Sequence, residues 1–221
     1  MEGRKTNRYL KGALLLGALA LLLALVCVVL LVGNNRPLPY EPLDMPVTEA
    51  EIVARGPLSE QRRTVVESAL SLVGKVPYFW GGKSEAIGMD PLWNTPAVVE
   101  SAGSETTGTV RPLGLDCSGY VSWCFSQNGL TFSEMKRTVG NGTMNQWKLS
   151  YPVTWDTLLV GDLVFQHDPE EGLGNHVGIV VGFHENGEPL ISHCAASFNN
   201  VVITGRGEVF QHPRRPYFYE D

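Results

Sequence analysis

Three side chains in this sequence have the types and setting for nucleophilic chemistry: Cys117, His176 and His193. Leu115-Asp-Cys-Ser-Gly-Tyr-Val-Ser-Trp-Cys-Phe-Ser-Gln-Asn-Gly129 reads as a helix, with Asp116 as N-cap and Gly129 as stop. Cys117 then falls on the first turn, where unpaired N–H groups and the helix dipole favour a thiolate and can hold a developing oxyanion. The bland alternative is a small buried apolar residue, the commoner fate of cysteine. Position at the start of the helix, rather than inside it, favours the chemical reading.

His176 opens the run His-Val-Gly-Ile-Val-Val-Gly182, a strand whose alternation sets His176, Gly178 and Val180 on one face. Glycine at 178 leaves that face bare, so that a helix tip could approach the imidazole. Without a partner cysteine, His176 would read as a structural histidine. His193 lies on the next strand, beyond the hairpin signal Asn186-Gly187. A two-residue turn would pair His193 with Val180, too far from His176 for a hydrogen bond. A four-residue loop would pair it with Gly178. The geometry therefore requires the longer loop or a bulge. If that holds, His193 orients His176 and fixes its tautomer.

Cys124 follows Cys117 by seven residues on one helix, about 10.5 Å away, too far for a disulfide. Cys194 alternates with His193 and reads as a buried structural thiol. His167, His184 and His212 read as solvated. A metal site built from Cys117, Cys194, His176 and His193 is disfavoured, because zinc-type paired spacing is missing. No metal or other cofactor is expected.

The elements that position these groups follow from the rest of the chain. Of 221 residues, 43% are hydrophobic and 18% charged, a globular composition large enough for a single core. Residues 1–11 carry four basic side chains against one acidic; the remainder carries 13 against 22 and is acidic. Such a domain has no electrostatic reason to bind nucleic acid. Residues 12–32 hold no charge for 21 positions, long enough to cross a bilayer, with the basic segment 1–11 on the cytoplasmic side. A cleaved signal peptide fits less well, because no small-residue cleavage site follows the run. Cys27 lacks a small preceding residue and is read as an apolar packing residue, so the expectation is a single-pass cell-membrane protein with its domain extracytoplasmic.

Residues 33–57 form a Pro-rich spacer and a short helix opened by the capping box Thr48-Glu-Ala-Glu51. The domain occupies 58–221, beginning with a helix from about Ser59 to Val73. Residues 83–114 are polar, show little periodicity and read as a long loop. Strands are expected at Asp162–Gln166, His176–Phe183, Pro189–Ala195 and Val201–Thr204. Helices followed by a strand meander make an α+β fold.

Asp116-Cys-Ser-Gly-Tyr-Val121, Pro77-Tyr-Phe-Trp-Gly-Gly82, Val160-Gly-Asp-Leu-Val-Phe165 and His176-Val-Gly-Ile179 resemble the characteristic blocks of the NlpC family of papain-like cell-wall cysteine peptidases. The resemblance spans about Leu58 to Thr204. It implies N-terminal helices packed on an antiparallel sheet, Cys117 as nucleophile, His176 as base and His193 as the third polar residue. It also implies that Tyr78 lines the site and donates to the oxyanion, and that Asp116 and Ser118 help bind the amine end of a stem peptide. Their alternative roles are helix caps, and for Ser118 the two weigh equally. The implied substrate is the peptidoglycan stem peptide, cut between D-glutamate and the diamino acid. The implied alternatives are an amidase or acyltransferase on the same scaffold, or an inactive wall-binding tether. The connection from Gly82 to Leu115 is longer than is usual in that family, and so is the spacing from His176 to His193.

Overall fold

The structure is a computed structural model that describes residues 16–26, 58–172 and 174–220. Residues 16–26 form a helical segment (α1) with exposed side chains. No helix among the described residues is long and apolar enough to cross a membrane. The expected span 12–32 lies only partly within them, and the spacer and capping box of 33–57 lie outside.

The domain begins at α2 (Glu60–Ser71), capped by Ser59, whose hydroxyl accepts from the Arg62 N–H. Val65, Val66 and Ala69 are buried, as the 3.6-residue stripe requires. The central helix is α3 (Cys117–Ser126), and all ten of its residues are buried. It packs against α2 and the sheet, and its Tyr120 hydroxyl bonds the Ser192 hydroxyl at 2.6 Å and donates to the Ala69 carbonyl at 3.3 Å. Two short helices follow, α4 (Phe132–Thr138), opened by a Thr131/Glu134 capping box, and α5 (Thr143–Lys148).

Six strands form one antiparallel sheet: β3 (Ser150–Pro152), β4 (Leu163–Phe165), β5 (Val177–Phe183), β6 (Pro189–Ala195), β7 (Asn200–Thr204) and β8 (His212–Pro216), in the order β3-β8-β4-β5-β6-β7. The meander β4 to β7 matches the four expected strands within a residue or two. β3 and β8 are additions: Pro213 and Pro216 break the usual strand signal. His212, read as solvated, begins β8, and its ring packs edge-on to Trp147 at 5.6 Å.

Residues 83–114 also depart from expectation. They carry an antiparallel ribbon, β1 (Pro96–Val98) with β2 (Val110–Pro112), and they lie along α3. Trp93 packs edge-on to Trp123 with centroids 5.5 Å apart. At the far end of the helix the Gln127 side chain accepts from the Gly88 N–H at 2.7 Å and donates to the Ala86 carbonyl at 3.1 Å. Pattern reading missed this because the insertion is tied by a few side chains rather than by a periodic face.

Candidate active site

The tip of α3 is built by close backbone approach. Tyr78 bridges Leu115 in parallel, with Phe79 N–H donating to the Leu115 carbonyl at 3.0 Å and Leu115 N–H to the Pro77 carbonyl at 3.2 Å. This brings the half-buried Tyr78 beside the segment that enters the helix. The Gly82 carbonyl then reaches the first turn and accepts from the Asp116 N–H at 3.2 Å. A Cβ on Gly119 would lie 2.1 Å from that carbonyl oxygen, so only glycine lets the two blocks meet.

Asp116 caps the helix through its Oδ1, which accepts from the Gly119 N–H at 2.6 Å and from the Ser118 hydroxyl at 2.8 Å. Lys83 completes the cluster. Its Nζ donates to Asp116 Oδ1 at 2.6 Å, to Asp116 Oδ2 at 2.8 Å and to Ser118 Oγ at 2.8 Å. The expected sites for a substrate amine are thus already engaged by a side chain of the insertion. Sequence reasoning missed Lys83, which stands 33 positions before Asp116 with no spacing rule to link them.

Cys117 is 7% exposed. Burial first, and Asp116 second, push its thiol up to about 12, against the opposing pull of the Val177 N–H, Lys83 and the Ser118 N–H. The expected thiolate is therefore not the resting species: desolvation outweighs the helix tip. The Val177 contribution sets the sulfur against the start of β5, next to His176.

A hydrogen-bonded chain runs from His176 into the sheet. His176 Nε2 and His193 Nδ1 are 2.8 Å apart, His193 Nε2 lies 3.1 Å from Thr204 Oγ1, and the Thr204 hydroxyl donates to the Gly205 carbonyl at 2.9 Å. The fixed donor at its end orders the rest. Thr204 Oγ1 accepts from His193 Nε2–H, so His193 Nδ1 accepts from His176 Nε2–H, and Nδ1 of His176 carries the lone pair. Burial holds His176 down at about 4, with Asp116 pulling the other way; burial and then His176 hold His193 well below the usual histidine range. Both rings are neutral. Phe210 stacks on His176 at 5.6 Å and meets His193 edge-on at 5.2 Å. Asn175 accepts from the His176 N–H at 2.8 Å and donates to the His167 carbonyl at 2.8 Å, holding the backbone at the strand start.

The register works through a bulge. Five residues, His184–Glu188, join Phe183↔Pro189. Counted on without interruption, that ladder would set His193 opposite Ile179, on the wrong face. The register shifts between Val180 and Gly182, giving Val180↔Ile191 and Ile179↔Ser192, and the next pair along is Gly178 with His193. A Cβ at Gly178 would lie 2.5 Å from Ile191 Cγ2 and 3.3 Å from His193 Cβ. The bare face at Gly178 thus admits the neighbouring strand's side chains, where a helix tip was expected.

Cys194 donates to the Leu115 carbonyl at 3.1 Å; it and Cys124 are free, buried thiols. Among the described residues no three His, Cys, Asp or Glu side chains converge as metal ligands. Chemically, the arrangement offers a thiol on a helix tip, a neutral imidazole base with a fixed tautomer, and the Cys117 N–H at the helix start for an oxyanion.

The family model of the NlpC/P60 family matches residues 74–213, from the turn after α2 into β8. The chain belongs to the NlpC/P60 family. Among its relatives, a dipeptidyl-peptidase 6 of Lysinibacillus sphaericus is 28% identical over 152 residues, 69% of this chain and 38% of that protein. A probable endopeptidase of Mycobacterium tuberculosis is 30% identical over 122 residues, 55% of this chain and 21% of that protein. The chain thus spans well under half the length of either relative. The peptidoglycan hydrolase RipB of Mycobacterium tuberculosis shares the NlpC/P60 fold, with a TM-score of 0.50 at 23% identity over 81% of this chain and 74% of that one.

Proposed function

We propose that this NlpC/P60 protein is a membrane-anchored cysteine endopeptidase that hydrolyses peptidoglycan stem peptides between D-glutamate and the diamino acid. The 2.8 Å contact of His176 Nε2 with His193 Nδ1 carries the reading, because it assigns the His176 proton to Nε2 and so makes Nδ1 the basic nitrogen. The family membership supports a peptidoglycan substrate. The uncharged run 12–32 supports the anchor, with the domain outside.

In this mechanism Cys117 attacks as its proton leaves. His176 Nδ1 takes the thiol proton, and the Cys117 sulfur bonds to the amide carbon. The Cys117 N–H and the Tyr78 hydroxyl receive the oxyanion. The imidazolium then protonates the departing amine as the C–N bond breaks. Water, deprotonated by His176, splits the thioester and restores the thiol. His193, Thr204 and the Gly205 carbonyl act behind the base by dipoles. The test is digestion of purified sacculi by the full chain and by Cys117→Ala, with products read by mass spectrometry. New termini at D-glutamate with the parent chain alone are expected, and equal products from both would overturn Cys117 catalysis.

A further inference from the structure

The three acceptors beside the nucleophile, Asp116 Oδ1, Asp116 Oδ2 and Ser118 Oγ, converge on one point, and an ammonium has three donors to give them. Lys83 Nζ sits at that point and spends all three, at 2.6, 2.8 and 2.8 Å. Ser118 has turned its own hydrogen to Asp116 Oδ1, so its oxygen is committed to accepting. The Lys83 side chain is 27% exposed and that of Asp116 12%, so the cluster touches solvent, yet its acceptors are closed to a second cation. Lys83 comes from the long insertion, which is held along α3 by Trp93 and Gln127, so the lysine is presented by an anchored element.

We infer that Lys83 is a specificity-determining residue: it occupies an ammonium site next to Cys117 and thereby restricts the enzyme to stem peptides whose N-terminal nitrogen is acylated. The inference rests on the proposed endopeptidase reading and names the substrate class for it. Asp116 and Ser118 flank Cys117 in sequence. An ammonium bound by them therefore lies within about two residues, roughly 7 Å, of the scissile carbon. In a stem peptide cut free of its glycan, the alanine amine stands two residues before the D-glutamyl bond. In a stem still joined to the glycan that nitrogen is an amide and carries no charge. Lys83 repels the first and is indifferent to the second.

The test uses the full-length Cys117→Ala protein with and without Lys83→Met, and two probes: L-alanyl-γ-D-glutamyl-diaminopimelic acid and its N-acetyl form. With Lys83 present, the acetylated probe is expected to bind at least tenfold more tightly. Lys83→Met frees Asp116 and Ser118 and is expected to reverse that order by tightening the free-amine probe. Equal binding of the two probes with Lys83 present, an unchanged ratio in Lys83→Met, or no binding by either protein overturns the inference. The contrast between the two probes with Lys83 present does not depend on the folding of Lys83→Met. Sacculus digestion separates the two readings: digestion with an unchanged probe ratio sinks the inference alone, and a reversed ratio without digestion sinks the endopeptidase.

Discussion

Two carboxylates, Asp116 and Asp162, each lie against basic side chains, in surroundings that differ. Asp162 is fully buried. Its Oδ1 accepts from Arg62 Nη1 at 3.0 Å, and its two oxygens take the Arg215 fork at 2.8–3.2 Å. The Leu159 N–H adds a further donor at 2.9 Å, and Arg62 also lies over the Tyr219 ring at 4.0 Å. This cluster ties α2 to the turn before β4 and to β8. Asp116 has one lysine ammonium, keeps some contact with solvent and directly precedes Cys117. Forked guanidinium groups in a dry setting hold architecture together, whereas a partly exposed lysine ammonium is exchangeable with solvent. Ion pairing alone does not tell the two apart; burial and the neighbour do.

The comparison breaks most visibly on activity. Cys117→Ala and His176→Ala should each lower sacculus hydrolysis by about a thousandfold or more with the melting temperature little changed, as expected for members of one catalytic unit. A comparable loss of stability would return both residues to the core. Asp162→Ala should do the opposite. It strands two guanidinium groups, one of them 1% exposed, and should cost about 3–5 kcal/mol in urea unfolding. Asp116→Ala loses a helix cap but leaves Lys83 able to reach water, so about 1 kcal/mol is expected. A loss at Asp116 equal to that at Asp162 would erase the distinction.

Proton linkage sharpens the same contrast. His176 and His193 are held neutral below the ordinary value of 6.5, His176 down to about 4. The unfolded chain therefore binds more protons as pH falls, so stability is full above about pH 6.5 and lost as pH drops toward 4. Cys117, Cys124 and Cys194 are raised, Cys117 to about 12. Unfolded thiols ionise near 9, so stability is lost again as pH rises beyond that. Urea midpoints between pH 4 and 11 should trace this plateau, and a flat acid side would show that the histidines are not buried neutral. The smallest effect is expected from Thr204→Val. It removes the acceptor that fixes the His193 tautomer and should lower kcat by about tenfold with KM retained; an unchanged kcat would detach Thr204 from the site.

The parts that were legible in the sequence are local or periodic. The cap at Asp116, the alternation through β5 and the stripe on α2 follow from spacing. Even the need for a longer loop or a bulge followed from counting residues between His176 and His193. The rest depends on contacts that spacing does not encode. Lys83 and Thr204 reach their partners through the fold. β8 carries prolines that only its place beside β4 makes tolerable. The state of the Cys117 thiol turns on desolvation, which outweighs the helix tip and is invisible until the core is assembled.

The chain that begins at His176 runs through His193 and the Thr204 hydroxyl to the Gly205 carbonyl, each link neutral. In the proposed mechanism the resting base and the resting sulfhydryl are therefore both uncharged. Peroxide and other electrophiles attack the sulfur anion, and susceptibility follows its population. In the proposed mechanism, keeping that population negligible until an amide carbonyl is in place spares Cys117 from irreversible damage.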